Sequence, residues 1–247
     1  MQIDLLKNAA EIIKESKYCI GFTGAGISVE SGIPPFRGEN SIWSKYDPIN
    51  LDLSYFVEHP DKTWPVIKEI FYDFIGNAKP NKGHNALAWL EKEGMLECII
   101  TQNIDNLHQE AGSKTVWEFH GNSQRLVCMN CNNHFPSVDA DFSKLPPTCD
   151  KCNGLIKPDF IFFGERIPQI AYDKSMKAAQ NADVCIIVGS TGEVMPAASV
   201  PVVAKRNGAV IIEVNPEESL FTRDVTDLHL QGKAGPILDE LIEALKK

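Results

Sequence analysis

Residues 18–28 read YCIGFTGAGIS, an apolar run that ends in a turn carrying Gly21, Gly24 and Gly26. Short runs of this kind, bounded by glycine, read as strands buried on both faces. DVCIIVGS (183–190) and AVIIEVN (209–215) repeat the pattern, and ECIITQ (97–102) and TVWEFHG (115–121) are shorter versions of it. Helical patterns alternate with them. They are a first amphipathic stretch with Ile3, Leu6, Ala10 and Ile13, then HNALAWLEKEG ending at Gly94, residues 168–181, AASVPVVAKRNG, and PILDELIEALKK at the C-terminus. Strands alternating with helices imply an α/β fold with a parallel sheet covered on both faces. At the end of the first strand, glycines let the backbone approach a pyrophosphate, with the next helix N-terminus facing the anion. The spacing is not a full GxGxxG, because Val29 stands where the third glycine would be. Taken alone, the turn equally fits an ordinary strand-to-helix connection.

Two segments interrupt the alternation. Residues 39–85 are rich in Trp, Tyr and Phe and punctuated by Pro48, Pro60, Pro65 and Pro80, which reads as short helices and loops. Residues 122–154 carry Cys128, Cys131, Cys149 and Cys152 as CMNC, seventeen residues, then CDKC. Two CxxC knuckles at that separation have the spacing of a four-thiolate zinc site. Four protein ligands leave no open position, so the metal reads as structural; a redox dithiol pair or disulfides are the rival readings. Few large apolar residues lie between the knuckles, and a lobe of about thirty residues generally needs a staple. The expected organisation is a Rossmann-like domain from 1–38, 86–121 and 155–247. A smaller lobe is expected from the helical insert 39–85 and the zinc-ribbon insert 122–154.

Bulk properties narrow the function. The chain has 247 residues, 43% of them apolar, with a net charge of 24 − 33 = −9. An acidic balance opposes general affinity for nucleic acid or anionic membranes and suits a cationic partner such as a lysine-rich peptide. No apolar run approaches the roughly eighteen residues of a membrane span, and the charged N-terminus does not resemble a secretory signal. Cys19, Cys98 and Cys185 lie in strand-like apolar runs as small hydrophobes. A reducing compartment fits, so a cytoplasmic location is expected.

One ordered set of motifs links these features: GAGIS at 24–28, GIPPFRG at 32–38, TQNIDNLHQEAG at 101–112 and EFHGN at 118–122. After the cysteine pairs come KPDFIFFGE at 157–165, VGSTGEVMPAA at 188–198 and VNPE at 214–217. Over nearly its whole length the chain resembles the sirtuin family of NAD-dependent protein deacylases. The resemblance implies NAD bound between the Rossmann-type domain and the zinc-bearing lobe, with an acyl-lysine peptide laid in the cleft as an added strand. It further implies attack of the acyl oxygen on C1′ of the nicotinamide ribose, giving free lysine, nicotinamide and O-acyl-ADP-ribose.

By the same resemblance His120 is the general base, a task that suits an imidazole titrating near neutrality. Asn103 positions the nicotinamide-side ribose and a water, Asp105 holds the carboxamide and Gln102 contacts a ribose hydroxyl. As residues after a strand, Asn103 and Asp105 also read as helix caps. Gly24, Ala25 and Gly26 form the phosphate turn, and Phe36 and Arg37 fall in the loop covering NAD. Gly189, Ser190 and Thr191 offer phosphate or ribose contacts, Asn215 contacts the adenosine ribose, and Lys233 and Ala234 lie on the adenine side. Phe163, Gly164 and Glu165, with Gly192, Glu193 and Val194, flank the substrate peptide as neighbouring strands. His108 reads as a packing residue with a backbone hydrogen bond. His59, His134 and His229 read as surface or packing residues, and Trp43, Trp64, Trp89 and Trp117 as core.

Departures from the family pattern carry their own expectations. Pro35 stands where many members have Asp, which bears on loop stiffness but not on the base. Glu193 beside the peptide groove suggests a preference for basic residues flanking the acyl-lysine. Ile67 and Ile70 stand where members that remove dicarboxylic acyl groups carry Tyr and Arg, so acetyl or longer apolar acyl groups are expected. Two other functions remain open on the same residues. One is mono-ADP-ribosyl transfer or NAD hydrolysis; the other is a zinc-ribbon binding module with an NAD-sensing domain.

Overall fold

The computed structural model describes residues 2–36 and 41–247. Arg37, expected over NAD, and the expected boundary at 38/39 lie outside the described residues. In chain order the elements are α1 (Gln2–Glu15), β1 (Cys19–Thr23), α2 (Ile42–Lys45), α3 (Leu53–Glu58), α4 (Pro60–Ile67), α5 (Lys82–Lys92), β2 (Cys98–Thr101), α6 (Leu107–Glu110) and β3 (Val116–Glu118). They continue with β4 (Gly121–Cys128), β5 (His134–Pro136), β6 (Ile156–Phe160), α7 (Gln169–Asn181), β7 (Val184–Val188), α8 (Ser199–Arg206), β8 (Val210–Asn215), α9 (Leu220–Asp224), β9 (Leu228–Gln231) and α10 (Ala234–Leu245). A 3-10 helix at Ala25–Ser31 follows β1, and α4 runs into a π-helical stretch at Lys68–Phe74.

Six strands form one parallel sheet in the order β3-β2-β1-β7-β8-β9. Alternate residues of each strand feed opposite faces. Ile99, Ile186, Ile212 and Val214 pack under α1, α5 and α10. Ile20, Phe22, Ile100, Ile187 and Ile211 pack under α7 and α8. The free thiols of Cys19, Cys98 and Cys185 are buried within this sheet. The doubly covered parallel sheet is thus the expected one. Strand β9, only four residues long, and the short helix before it lack a periodic signal of their own and were not anticipated.

The smaller lobe has a three-stranded antiparallel sheet, β5-β4-β6. Its edge differs from the expected boundary at residue 155. Ile156–Phe160 pairs with β4, so the stretch begins in the small lobe rather than in the large sheet. A pairing choice of this kind is tertiary, because an apolar run of five residues fits either sheet. The two insertions share one core. Phe56, Trp64, Ile67, Ile70 and Phe71 from the aromatic segment pack against Leu126, Cys128, Cys149, Ile156, Phe160 and Phe162. Trp64 is fully buried and donates its indole N–H to the Ile156 carbonyl at 2.9 Å, which satisfies its one polar atom.

Candidate functional site

In a parallel sheet, ligands bind beyond the carboxyl ends of the strands. Here β1 ends in Gly24–Gly26, β2 in Gln102–Asp105, β7 in Gly189–Thr191 and β8 in Asn215, all at that one edge. The glycines are required by contact between turns. A Cβ at Gly26 would lie 2.6 Å from Gly189 Cα, and one at Gly189, whose φ is 64°, would lie 2.3 Å from the Ile27 nitrogen. Gly26 N–H donates to the Gly189 carbonyl at 2.9 Å, and Gly24 N–H to Val188 at 3.0 Å. The β1 and β7 turns therefore press together, a reason for glycine that the phosphate-turn reading alone did not contain.

Beneath these turns lies a buried polar cluster. Ser28 donates to Asp105 Oδ2 at 2.6 Å and accepts from Asn103 Nδ2 at 3.2 Å. Asn103 Nδ2 also reaches the Gly24 carbonyl at 3.1 Å, so both its hydrogens are used and Oδ1 remains as an acceptor. Asp105 Oδ1 caps the Leu107 amide at 3.0 Å. Burial pushes the Asp105 carboxyl above its usual range, against the hydrogen bonds from Ser28 and Leu107. His84 accepts from the Asn81 amide through Nδ1 and faces Ser28 through Nε2, and burial lowers its pKa to about 4. Neither Ser28 nor His84 was assigned a role from sequence, although Ser28 stands within GAGIS. His108 Nε2 meets the Thr23 hydroxyl at 2.9 Å, so the ring's expected backbone hydrogen bond is instead one to a side chain.

His120 follows β3 in a turn. Its Nδ1 lies 3.0 Å from the Gln102 carbonyl. A carbonyl only accepts, so Nδ1 carries the proton and Nε2 presents a lone pair. Burial lowers its pKa, partly offset by that hydrogen bond, and keeps the ring neutral near pH 7. Gln102 Nε2 donates to Ser190 Oγ at 2.9 Å, and Ser190 O accepts from Asn215 Nδ2 at 3.0 Å. His120, Gln102, Ser190 and Asn215 thus form one hydrogen-bonded series along the sheet edge, while Asn103 and Asp105 belong to the separate cluster joined through Ser28. Thr191 is exposed, and its carbonyl accepts from Leu220. Ala234 opens α10, where the Gly235 amide is already capped by Glu30 Oε2 at 2.7 Å.

The remaining positions lie on two segments, one beside the small lobe and one following β7. Phe36 packs on Trp43 at 5.5 Å between ring centroids, and Trp43 on Phe163 at 6.3 Å, so aromatic rings join the Phe36 segment to the Phe163 segment. Trp43 is thus a bridge between these segments rather than simple core. Phe163 exchanges backbone hydrogen bonds with Leu51 and Leu53. Gly164 turns at φ 91°. The Glu165 carboxylate folds inward onto the Phe162 amide at 2.7 Å and onto Lys157 at 3.0 Å, so it shapes the segment instead of facing a ligand. Gly192, Glu193 and Val194 follow β7 on the large sheet, with Glu193 and Val194 exposed.

The four cysteine sulfurs lie within 4.8 Å of one another, with Cys128–Cys152 at 3.5 Å and Cys131–Cys149 at 3.7 Å. A tetrahedron of thiolates around zinc at about 2.3 Å has edges of roughly 3.8 Å, so the donor set fits that ion. The two knuckles are alike. Asn132 and Asn153 each follow the second cysteine at φ 56°, and each amide returns to the first cysteine's carbonyl, at 2.9 and 2.8 Å. Asparagine is among the residues that tolerate this left-handed turn.

The model of the Sir2 family matches residues 24–196. An NAD-dependent protein deacylase 1 from Archaeoglobus fulgidus is 43% identical over 242 residues, covering 95% of this chain and 96% of that protein. An NAD-dependent protein deacylase from Aquifex aeolicus is 41% identical, covering 94% of this chain and 97% of its own length. Among solved structures, a Sir2 homolog–NAD complex superposes with a TM-score of 0.90 at 42% identity, covering 97% of this chain and 93% of that one. A Sir2 with a p53 peptide and NAD+ gives 0.89 at 37% identity, covering 96% and 97%. With a family model over most of its length and relatives of this identity from end to end, the chain belongs to the Sir2, or sirtuin, family.

Proposed function

We infer that this chain removes acetyl or longer apolar acyl groups from protein lysines at the expense of NAD, releasing nicotinamide and O-acyl-ADP-ribose. The observation that carries this reading is the state of His120. Its Nδ1–H is committed to the Gln102 carbonyl, its ring is neutral, and its basic Nε2 is left free at the end of β3, on the sheet edge where β2 delivers Gln102. A group so held can take a proton from a ribose hydroxyl without first losing one to solvent.

Other residues take supporting roles in this reading. Gly24, Ala25, Gly26, Gly189, Ser190 and Thr191 line the phosphate side. Asn103 Oδ1 offers an acceptor to a water or ribose hydroxyl, Asp105 faces the carboxamide, and Gln102 and Asn215 lie toward the ribose hydroxyls. Phe36 shields the reacting face, and Ala234 lies toward the adenine. Phe163 and Gly164 on the small lobe, braced from within by Glu165, and Gly192, Glu193 and Val194 on the large one bracket an extended peptide. Since the Phe163 backbone is taken by Leu51 and Leu53, the peptide strand pairs through Gly164. Ile67 and Ile70, buried in the small-lobe core, support an apolar acyl preference. Zinc in the four-cysteine site holds the small lobe together and takes no part in the chemistry. Buried free thiols support a reducing compartment such as the cytoplasm. No described helix is long and apolar enough to cross a membrane.

The test is a panel of acyl-lysine peptides with NAD, using wild type and His120→Ala, with products identified by mass spectrometry. Deacylation yields O-acyl-ADP-ribose and free lysine. ADP-ribosylated protein or free ADP-ribose alone would instead mark transfer or hydrolysis, and a succinyl preference would reject the apolar pocket.

A further inference from the structure

Strand β8 carries a carboxylate in the protein interior. Glu213 has no exposed surface. Its Oε1 accepts from Asn215 Nδ2 at 2.7 Å and from the Ser219 hydroxyl, and its Oε2 from Thr222 at 2.8 Å and Thr226 at 2.6 Å. All four donors are neutral. Burial works against the charge, yet these hydrogen bonds hold the carboxyl below its ordinary value. An ionised carboxylate only accepts.

That fact decides how Asn215 faces the cleft. One Nδ2 hydrogen goes to Glu213 and the other to the Ser190 carbonyl at 3.0 Å. A flipped amide would set its oxygen against a carboxylate and a carbonyl together, so the flip is disallowed by chemistry and not merely by the choice of rotamer. The side chain's one remaining polar atom is Oδ1, at the carboxyl end of β8. Rossmann domains more often place an acid directly on the ribose. Here the acid lies two residues back and acts through an amide.

We propose that Glu213 is a positioning residue that locks Asn215 as an obligate hydrogen-bond acceptor, so that the adenosine-side ribose must supply a hydroxyl donor. Ser219, Thr222 and Thr226 bind the same carboxylate and tie the segment around α9 to this subsite. The inference rests on the reading above that Asn215 lies toward this ribose.

Calorimetric titration with ADP-ribose and with its 2′-deoxy and 3′-deoxy adenosine-side analogues tests it. Wild type is expected to bind at least one deoxy analogue about tenfold more weakly than ADP-ribose, the loss of one neutral hydrogen bond. Glu213→Met removes both acceptors and should bring the analogues within about threefold of ADP-ribose. Glu213→Gln should keep the discrimination, because its amide oxygen can still accept from Asn215 while the threonine hydroxyls turn to accept from its nitrogen. Thr226→Val disturbs the same segment but leaves the Asn215 contact, and it should keep the discrimination even if it lowers the melting temperature. A wild type indifferent to both deoxy sugars overturns the proposal without any variant. So does a folded Glu213→Met that discriminates as wild type does, or a Thr226→Val that loses discrimination equally. A wild type that binds no ADP-ribose overturns instead the NAD reading on which the proposal stands.

Discussion

The ammonium of Lys157 and the carboxylate of Glu165 meet at 3.0 Å inside the small lobe, where the Lys157 side chain is 6% exposed. The same ammonium donates to the carbonyls of Pro158 and Phe160 at 2.8 and 2.7 Å and lies 4.4 Å from the centroid of the Phe162 ring. All three of its donors are therefore spent on one segment, and Glu165 closes that segment by accepting the Phe162 amide. The pair braces the segment of Phe163 and Gly164, the residues proposed above to flank a peptide.

Lys157→Met should consequently raise the peptide KM by about tenfold with kcat and the NAD KM little changed, since the loss falls on binding alone. It should also cost about 3 kcal/mol of stability, because one buried charge loses its partner. The double variant Lys157→Met with Glu165→Gln should cost less than the sum of the singles, which a thermodynamic cycle checks. Equal effects on the two KM values would rule out a role confined to the peptide segment.

His120→Ala should lower kcat by about 10² to 10⁴ while leaving ADP-ribose binding within a few-fold. Because burial favours the neutral ring, the acid limb of the wild-type profile should fall below the ordinary histidine value of about 6.5. Steady-state rates from pH 5 to 8 measure it; a limb centred above 7 would contradict the neutral, desolvated imidazole.

Acid should loosen the buried cluster. His84 titrates near 4 in the folded chain, His108 is pushed well below its usual range by burial, and both bind a proton more readily when unfolded. Stability from these rings is present above about pH 6.5 and is lost as pH falls toward 4, up to about 3 kcal/mol for His84. Asp105, raised by burial, acts in the opposite sense as pH falls through its own titration. Melting temperatures from pH 7.5 to 5 should decline, and His84→Gln should flatten the slope; an unchanged slope would remove His84 from this account.

Gly189→Ala should destabilise the protein by about 2–3 kcal/mol, or roughly 5–10 °C in melting temperature. A Cβ there meets the Ile27 nitrogen at 2.3 Å on a backbone with φ of 64°. Thermal unfolding that matches wild type would mean that the β1 and β7 turns can separate freely.

Metal removal should separate the lobes in their response. Chelation of zinc should abolish the small lobe's near-ultraviolet signals, because its core includes Cys128 and Cys149 beside Trp64. The far-ultraviolet signature of the six-stranded sheet should largely persist. Re-addition of one equivalent of zinc should restore the first signal; failure of any amount of metal to bind would exclude the site.

Strand runs, glycine punctuation and the CxxC pairs are local patterns, the longest of them spanning residues 128–152. That is why the parallel sheet, the ribbon and the sheet-edge positions around Gly24, Asn103, Ser190 and Asn215 were legible in the chain alone. Orientation was not legible. Whether Glu165 points inward, which atom of Asn215 stays unbonded, which nitrogen of His120 is basic and which sheet takes Ile156–Phe160 depend on the partners that the closed fold brings to each atom. Asn103 is bonded across 79 positions and Gln102 across 88. A buried donor or acceptor must find its complement wherever packing places one, and that matching exists only once the chain has closed on itself.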